Sequence, residues 1–282
     1  MKALVLGGPT ASGKTGLAVE LALQHGAVVV SADAMQVYRG MDIGTGKATL
    51  EERRGVPHFG FDLRDPDEPF DAADFVALAE QVMAGHERVI VAGGTSLYLQ
   101  ALRRGLVATP DPDPALRAEL EATPDLHARL QAVDPVLATR LHPNDRVRLV
   151  RGIEVHALSG QRLSELHDAH AAAPDRVEVH GVWLDREDLD ARIDARVLQM
   201  MADGYLDEVR GLLAAGYPST LKPMRSLGYR HLCEHVETGL PLDEAVRRTQ
   251  RDTRRFARKQ RTWRRHVGLG EDVGAAVRAM GW

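Results

Sequence analysis

GGPTASGKTG, residues 7 to 16, follows the apolar run Leu4-Val5-Leu6 and precedes a stretch with helical apolar spacing. Gly8-Pro9-Thr10-Ala11-Ser12-Gly13-Lys14-Thr15 fits the pattern G-x-x-x-x-G-K-[ST], and it does so between a strand and a helix, the context that gives the pattern meaning. Glycines permit backbone angles that turn successive N–H groups inward as an anion nest. The following helix adds the positive end of its dipole. Lys14 is expected to reach the terminal phosphates, and the Thr15 hydroxyl to ligate Mg²⁺. The stretch therefore predicts a P-loop α/β fold and a phosphorylated ligand. It does not say whether that ligand is a nucleotide.

Working outward, the alternation continues. AVVVSAD (27–33) and RVIVAGGT (88–95) are short, apolar and largely β-branched, as buried strands are. GKTGLAVELALQHG (13–26) has helical spacing with Gly26 as its C-cap. DAADFVALAEQVMAGH (71–86) is helical with Asp71 as its N-cap, and SLYLQALRRGL (96–106) is helical too. Strand-helix alternation implies a parallel sheet flanked by helices, with ligands at the C-terminal ends of the strands. All three strands end in polar or glycine-rich clusters: GGPTASGKT, SADAMQ and GGTS. TPDPDP (109–114) marks a linker, and from there to about residue 172 the pattern is helical and charged. RVEVHGVWLD (176–185) returns to the sheet. We read residues 1–111 as the first part of a P-loop core, 112–178 as an inserted all-helical subdomain, and 179–282 as core completion with a basic C-terminal helix.

The composition narrows the class. Apolar residues make up 44% of the 282, enough for a buried core. No apolar run approaches the roughly 20 residues that a membrane helix needs, so no membrane partner is expected. The N-terminus lacks the pattern of a signal peptide. Cys233 is the only cysteine; an internal disulfide and a cysteine metal cluster are excluded, and a cytoplasmic setting is expected. Cys233 itself reads as a packed helix residue, and the scattered histidines as surface residues. Residues 247–265 hold ten Lys or Arg and one acid, a charge of +9, which leaves −13 elsewhere in a chain whose net charge is −4. That asymmetry points to a local anionic partner.

A mechanical ATPase of this fold carries an acid at the end of a second apolar strand to hold Mg²⁺. VIVAGGT ends in glycines and Thr95 instead; the acid is Asp33, after VVVSA. An acid there suits a base for an incoming nucleophile, or else an N-cap for the next segment. Three readings stay open on these residues: group transfer to an acceptor on a nucleic acid, a small-molecule or nucleotide kinase, and a nucleic-acid-binding ATPase.

Six stretches come in order: GPTASGKT, SADAMQVYRGMDIGTGK, VAGGTSLYLQALRRGL, HPNDRVRLVRGIEV, RSLGYR and TRRFARKQRTWRR. Together they resemble the bacterial tRNA isopentenyltransferase (tRNA dimethylallyltransferase) family, from about residue 4 to 265. The chain departs from the family pattern at Gly46, Ala48, Phe59 and His231. The resemblance implies transfer of a dimethylallyl group from dimethylallyl diphosphate to N6 of the adenosine 3′ to the anticodon, with Mg²⁺ assisting and diphosphate released. It implies that Gly8 to Thr15, with Thr10 and Lys14 in contact, and Arg225 hold the diphosphate. Asp33 takes the role of base, Ala34, Met35 and Gln36 flank the nucleobase, with Gln36 placed to read its edge, and Thr95 contacts tRNA near the reactive centre. The adenine is expected to leave the anticodon stack to be reached. Whether ATP binds the loop stays open, and a monomer is expected.

Arg247, Arg251, Arg254, Arg258, Arg261 and Arg265 recur at helical spacing on one face, with Phe256, Gln260 and Trp263 on another, expected to face the core. Arg254 and Arg258 are expected on tRNA phosphates, with Gln260 as a further RNA contact. In the insertion Asn144 or Asp145 caps a helix bearing Arg146, Arg148 and Arg151. The resemblance implies that this region embraces the anticodon stem-loop, with Arg117 and Ser159-Gly160-Gln161-Arg162 near the RNA.

Overall fold

The apolar runs become strands because both faces of each are covered. In chain order the elements before residue 105 are β1 (Lys2–Gly7), α1 (Lys14–His25), β2 (Val28–Ser31), α2 (Leu50–Arg53), β3 (His58–Phe59), α3 (Ala72–Gly85), β4 (Val89–Gly93) and α4 (Ser96–Arg104). Then come α5 (Pro114–Ala122), α6 (Leu126–Val133), α7 (Pro135–Arg140), α8 (Arg146–Ser159) and α9 (Leu163–Ala172). The chain ends with β5 (Glu178–Trp183), α10 (Leu189–Ala202), α11 (Tyr205–Ala214), α12 (Tyr229–Thr238), α13 (Leu242–Val267) and α14 (Val273–Met280). This computed structural model describes residues 1–282, except for the side chains of Arg265 and His266.

The sheet has the order β3-β2-β4-β1-β5, and every pairing is parallel. Alternation along β1 sends Ala3 and Val5 into one cluster with Val30, Val91 and Phe75. Leu4 and Leu6 go into another with Val29, Ile90 and Ala18 of α1. A parallel sheet buried on both faces needs such continuous apolar runs. β2, β4 and β1 are neighbours, so their C-terminal loops lie side by side, at the edge where such folds bind ligands. The cap of α3 is a full box, with Asp71 accepting from Ala73 and Asp74 N–H, and Gly26 closes α1 in the left-handed region. β3, two residues long and containing Phe59, was not anticipated; so short a strand has no periodicity to read.

Two compact units divide the chain: Met1–Arg103 with Arg176–Trp282, and Arg104–Asp175. The expected insertion ran from 112 to 178. The proline segment belongs to the helical unit because Arg151 donates to Thr109 Oγ1 (2.7 Å) and to the Pro110 carbonyl (2.8 Å). Residues 176 and 177 belong with the sheet, donating backbone N–H groups to the Arg103 carbonyl. The helical unit has its own core of Leu120, Leu130, Leu137, Leu149 and Ile153, and Asp145 supplies the cap of α8.

Candidate active site around the phosphate loop

The loop between β1 and α1 is built from backbone conformations that its sequence permits. Gly8 has φ +151° and Gly13 φ +96°, and a Cβ on Gly8 would overlap the Leu184 carbonyl oxygen. Ala11 also has a positive φ, +63°, a strain of about 1–3 kcal/mol for a residue with a Cβ. It is held there by packing with Leu189 and Ile193 of α10 and Ala257 of α13. Gln260 of α13 ties the loop to the end of β4: its Oε1 accepts Thr10 N–H (3.0 Å) and its Nε2 donates to the Gly94 carbonyl (2.9 Å).

Lys14 opens α1 and folds back over the loop, donating to the Pro9 carbonyl at 2.6 Å and to Ser12 Oγ at 3.5 Å. Burial pulls its pKa from 10.5 down to about 8; the Asp33 carboxylate opposes that shift and the Arg196 guanidinium adds to it. Lys14, Asp33 and Arg196 therefore share one electrostatic field. Thr15 is exposed in the first turn of the helix. Among the described residues no cluster of three or more His, Cys, Asp or Glu side chains could hold a metal; a Mg²⁺ bound mainly through substrate phosphates needs none.

The segment after β2 is stitched to the segment after β4. Thr95 Oγ1 accepts Ala34 N–H (3.2 Å), and Thr95 N–H donates to the Ala32 carbonyl (3.2 Å). Asp33 Oδ1 accepts Met35 N–H at 2.8 Å. Asp33 has no ion pair among the described residues and is half-buried. Ala34 and Met35 beside it are half-buried. Gln36 differs from the expectation that it reads a nucleobase edge. Its Oε1 accepts from Ser31 Oγ (2.8 Å) and its Nε2 donates to the carbonyls of Thr45 and Gly46 (both 3.2 Å). The amide is spent on the protein, and Gln36 shapes the wall of the site.

The adjoining loop, residues 42–46, hangs on Glu208 of α11. Its carboxylate accepts the N–H groups of Asp42 (2.8 Å), Ile43 (2.6 Å) and Gly44 (3.0 Å) and the Tyr229 hydroxyl (2.5 Å). Buried Lys47 closes the same loop onto the Tyr38 carbonyl (2.9 Å) and Asp62 (2.6 Å). Sequence reasoning missed Glu208, Lys47 and Arg196. The glycine-rich MDIGTGK holds the available signal: its inward N–H groups need an acceptor from elsewhere.

Other expected site residues lie apart from this cluster. Arg225 is exposed, and no hydrogen bond or ion pair among the described residues joins it to the loop. Gln260, expected to reach RNA, is 6% exposed, with its amide bonded to backbone at both ends. Phe256 and Trp263, expected to face the core, are 41% and 39% exposed; the buried face of α13 carries Ala245, Thr249, Ala257 and Gln260. Small and polar residues face inward there because α10 and the phosphate loop approach closely.

The arginine stripe of α13 is paired. Arg254 bonds Asp194, Arg258 bonds Asp190 at 3.2 Å, and Arg261 grips Asp185 with Nε and Nη2 at 3.0 and 2.8 Å. The side chain of Arg265 lies outside the described residues. In the helical unit Arg117 forks onto Glu154 at 2.8 and 3.0 Å, and Arg151 shares the same fully buried carboxylate. Arg117 thus serves the unit's own core. Ser159, Gly160, Gln161 and Arg162 form an exposed turn between α8 and α9; Ser159 Oγ accepts Gln161 N–H at 3.2 Å. His231 is buried and bonded to Asp252 at 3.1 Å, away from the loop. No helix among the described residues is long and apolar enough to cross a membrane.

Known proteins are similar to this chain. Residues 36–267 match the family described as IPP transferase. A tRNA dimethylallyltransferase of Geobacter metallireducens is 50% identical over 272 residues, covering 92% of this chain and 88% of its own length. One from Anaeromyxobacter dehalogenans is 49% identical over 282 residues, covering 95% and 92%. Among solved structures, the tRNA isopentenylpyrophosphate transferase of Bacillus halodurans is similar with a TM-score of 0.70 and 32% identity, over 99% of this chain and 94% of that one. A eukaryotic dimethylallyltransferase acting on tRNA gives a TM-score of 0.81 at 28% identity, over 93% of this chain and 69% of that one. The five-stranded parallel sheet with its phosphate loop is thus the P-loop fold of these transferases, and the chain belongs to the IPP transferase family.

Proposed function

We propose that this protein transfers a dimethylallyl group from dimethylallyl diphosphate to N6 of the adenosine 3′-adjacent to the anticodon in tRNA. The observation that carries the site assignment is Asp33: a carboxylate with one oxygen held by Met35 N–H and no ion pair, in the field of Lys14. In the reaction the allylic C–O bond breaks and the electron pair leaves with diphosphate. The N6–carbon bond forms, and the N6 proton passes to Asp33. The purine amine is a poor nucleophile because its lone pair is delocalised, so a positioned base contributes directly to the rate.

Charge accumulates on the departing diphosphate, which the loop of residues 8–15 would cradle with Lys14 and the Thr10 hydroxyl, the Thr10 N–H being held by Gln260; donors fixed before the reaction act most strongly there. We assign Arg225, exposed after the 217–224 segment, as a further cation for the diphosphate. Mg²⁺, held by the Thr15 hydroxyl, phosphate oxygens and water, would neutralise part of that charge. Ala34 and Met35 flank the adenine, Thr95 contacts tRNA, and Gln36 keeps the wall in shape. For the adenine to reach Asp33 it leaves the anticodon stack, which single-stranded loops permit. The exposed Ser159–Arg162 turn and Arg117, whose Nη1 has no hydrogen bond among the described residues, offer contacts to the anticodon stem-loop. Arg254 and Arg258 do so by exchanging aspartate for phosphate, and Gln260 acts through the loop it holds. We assign the enzyme to the cytoplasm as a monomer.

The test mixes protein, Mg²⁺, radiolabelled dimethylallyl diphosphate and unmodified tRNA. Label in the tRNA is the expected result. Label that stays in the diphosphate while ATP is consumed would overturn the reading in favour of a kinase.

A further inference from the structure

Helix α10 carries acids and arginines toward different partners. Asp190 and Asp194, one turn apart, receive Arg258 and Arg254 of α13. Arg192 and Arg196, also one turn apart, turn to the phosphate-loop side. Arg192 Nε donates to the Ala11 carbonyl of the loop at 3.0 Å, and Arg196 Nη2 donates to the Gly46 carbonyl at 3.3 Å. Neither forms an ion pair among the described residues. The packing of Leu189 and Ile193 against Ala11 fixes this side of α10 on the loop.

A poorly solvated cation with no carboxylate in contact is costly. Burial draws the Arg196 guanidinium below its usual range, with Glu52 and Asp33 opposing, and Arg196 in turn depresses Lys14. Two cations that repel each other in one field are stabilised together by an anion placed against both. Gly46 makes room for one of them. It has φ +60°, and a Cβ there would overlap the Arg196 guanidinium. Its carbonyl also accepts Gln36 Nε2 at 3.2 Å, so Arg196 and the Gln36 wall share one acceptor.

Resting on the proposed function, we infer that Arg196, supported by Arg192, is a second clamp on the diphosphate, supplied by α10 rather than by the loop. A guanidinium bonded to a backbone carbonyl keeps most of its charge for a phosphate, and its fork suits two oxygens at once.

The test is calorimetric titration of the full-length protein with inorganic diphosphate and Mg²⁺, and separately with unmodified tRNA. Arg196→Ala should weaken diphosphate binding about tenfold or more while tRNA affinity changes less than about threefold. Arg196→Lys should restore only part of the loss, since an ammonium lacks the fork. Gly46→Ala pushes the guanidinium aside but keeps its charge, and should weaken diphosphate binding by a smaller factor, about threefold. Wild-type protein that binds no diphosphate overturns the proposed function and the clamp together. Wild-type binding with a folded but indifferent Arg196→Ala overturns the clamp alone, and so does an equal loss of diphosphate and tRNA binding. Should Arg196→Ala fail to fold, unchanged diphosphate affinity in Gly46→Ala overturns it.

Discussion

Along α13, Arg254, Arg258 and Arg261 each end on a carboxylate: Asp194, Asp190 and Asp185. Around the phosphate loop, Lys14, Arg192 and Arg196 end on the backbone carbonyls of Pro9, Ala11 and Gly46. The first group is neutralised within the fold; the second keeps its charge. A cation on a carbonyl gives up a neutral acceptor when an anion arrives, whereas a cation on a carboxylate must first break an ion pair. The density of basic residues in the sequence is highest along α13, yet the charge available to a small anion is concentrated at the loop. How much charge a segment carries and how much it can offer are separate quantities.

The largest test of that difference is Asp33, the acid on the loop side that no cation has claimed. Asp33→Ala should lower single-turnover transfer by about 10²–10⁴-fold, the usual worth of a general base, while tRNA affinity stays close to wild type. Equal loss of both would make Asp33 a binding residue. Next comes Lys14. Lys14→Ala should weaken diphosphate binding by roughly 10- to 150-fold, the range for hydrogen bonds to a charged group. Its pH dependence sharpens the point. With a folded pKa near 8 against an ordinary 10.5, the unfolded chain holds more protons between those values. Lys14 therefore lowers stability at neutral pH, and that cost is relieved as pH rises from about 8 toward 10.5. A bound diphosphate reverses the preference. Binding of dimethylallyl diphosphate above pH 8 should take up a proton, read from calorimetry in buffers of different ionisation enthalpy, and Lys14→Ala should abolish the uptake.

The smallest effects belong to α13. Arg254→Ala with Arg258→Ala should flatten the salt dependence of tRNA binding by less than the slope of about 0.7 that each free phosphate contact contributes, because each arginine must first leave an aspartate. Asp190→Asn with Asp194→Asn should do the opposite, tightening tRNA binding a few-fold and steepening the slope, as salt titrations of tRNA affinity would measure. A full slope change in the arginine variant would erase the distinction between the two groups.

What the sequence revealed follows the same division. Strands β1, β2 and β4 were legible because both-face burial demands unbroken apolar runs, and the edge strand β5, part-buried and carrying Glu178 and His180, was legible from Val177, Val179 and Val182-Trp183. The phosphate loop was legible because its backbone angles need particular residues in a fixed order. Pairing was not legible. Asp190 and Asp194 stand 68 and 60 residues from the arginines they hold, and no local pattern encodes that meeting. Gln36 misled for a related reason: a polar amide near a ligand site suggests recognition, yet the protein consumes it; Gln260 faces the core as expected, and the RNA contact also expected of it is at odds with an amide bonded to backbone at both ends. Glu154 could have been found. It lies among Val150, Ile153 and Val155 with Arg151 three residues before it, and a carboxylate on an apolar face needs such a cation close by.

Arg104 and Asp175, the first and last residues of the helical unit, form an ion pair at 3.5 Å, and just outside them the Arg103 carbonyl accepts the N–H groups of Arg176 and Val177. The polypeptide leaves the sheet-bearing scaffold and rejoins it at one seam. Joining residue 103 to 176 through a short flexible linker would scarcely stretch either side, so the helical piece is modular: it can be excised, exchanged for that of a relative, or lengthened while the scaffold keeps its register. Closing a loop costs free energy that rises only logarithmically with its length, so such a seam lets the helical piece diversify while the sheet and its phosphate loop stay fixed.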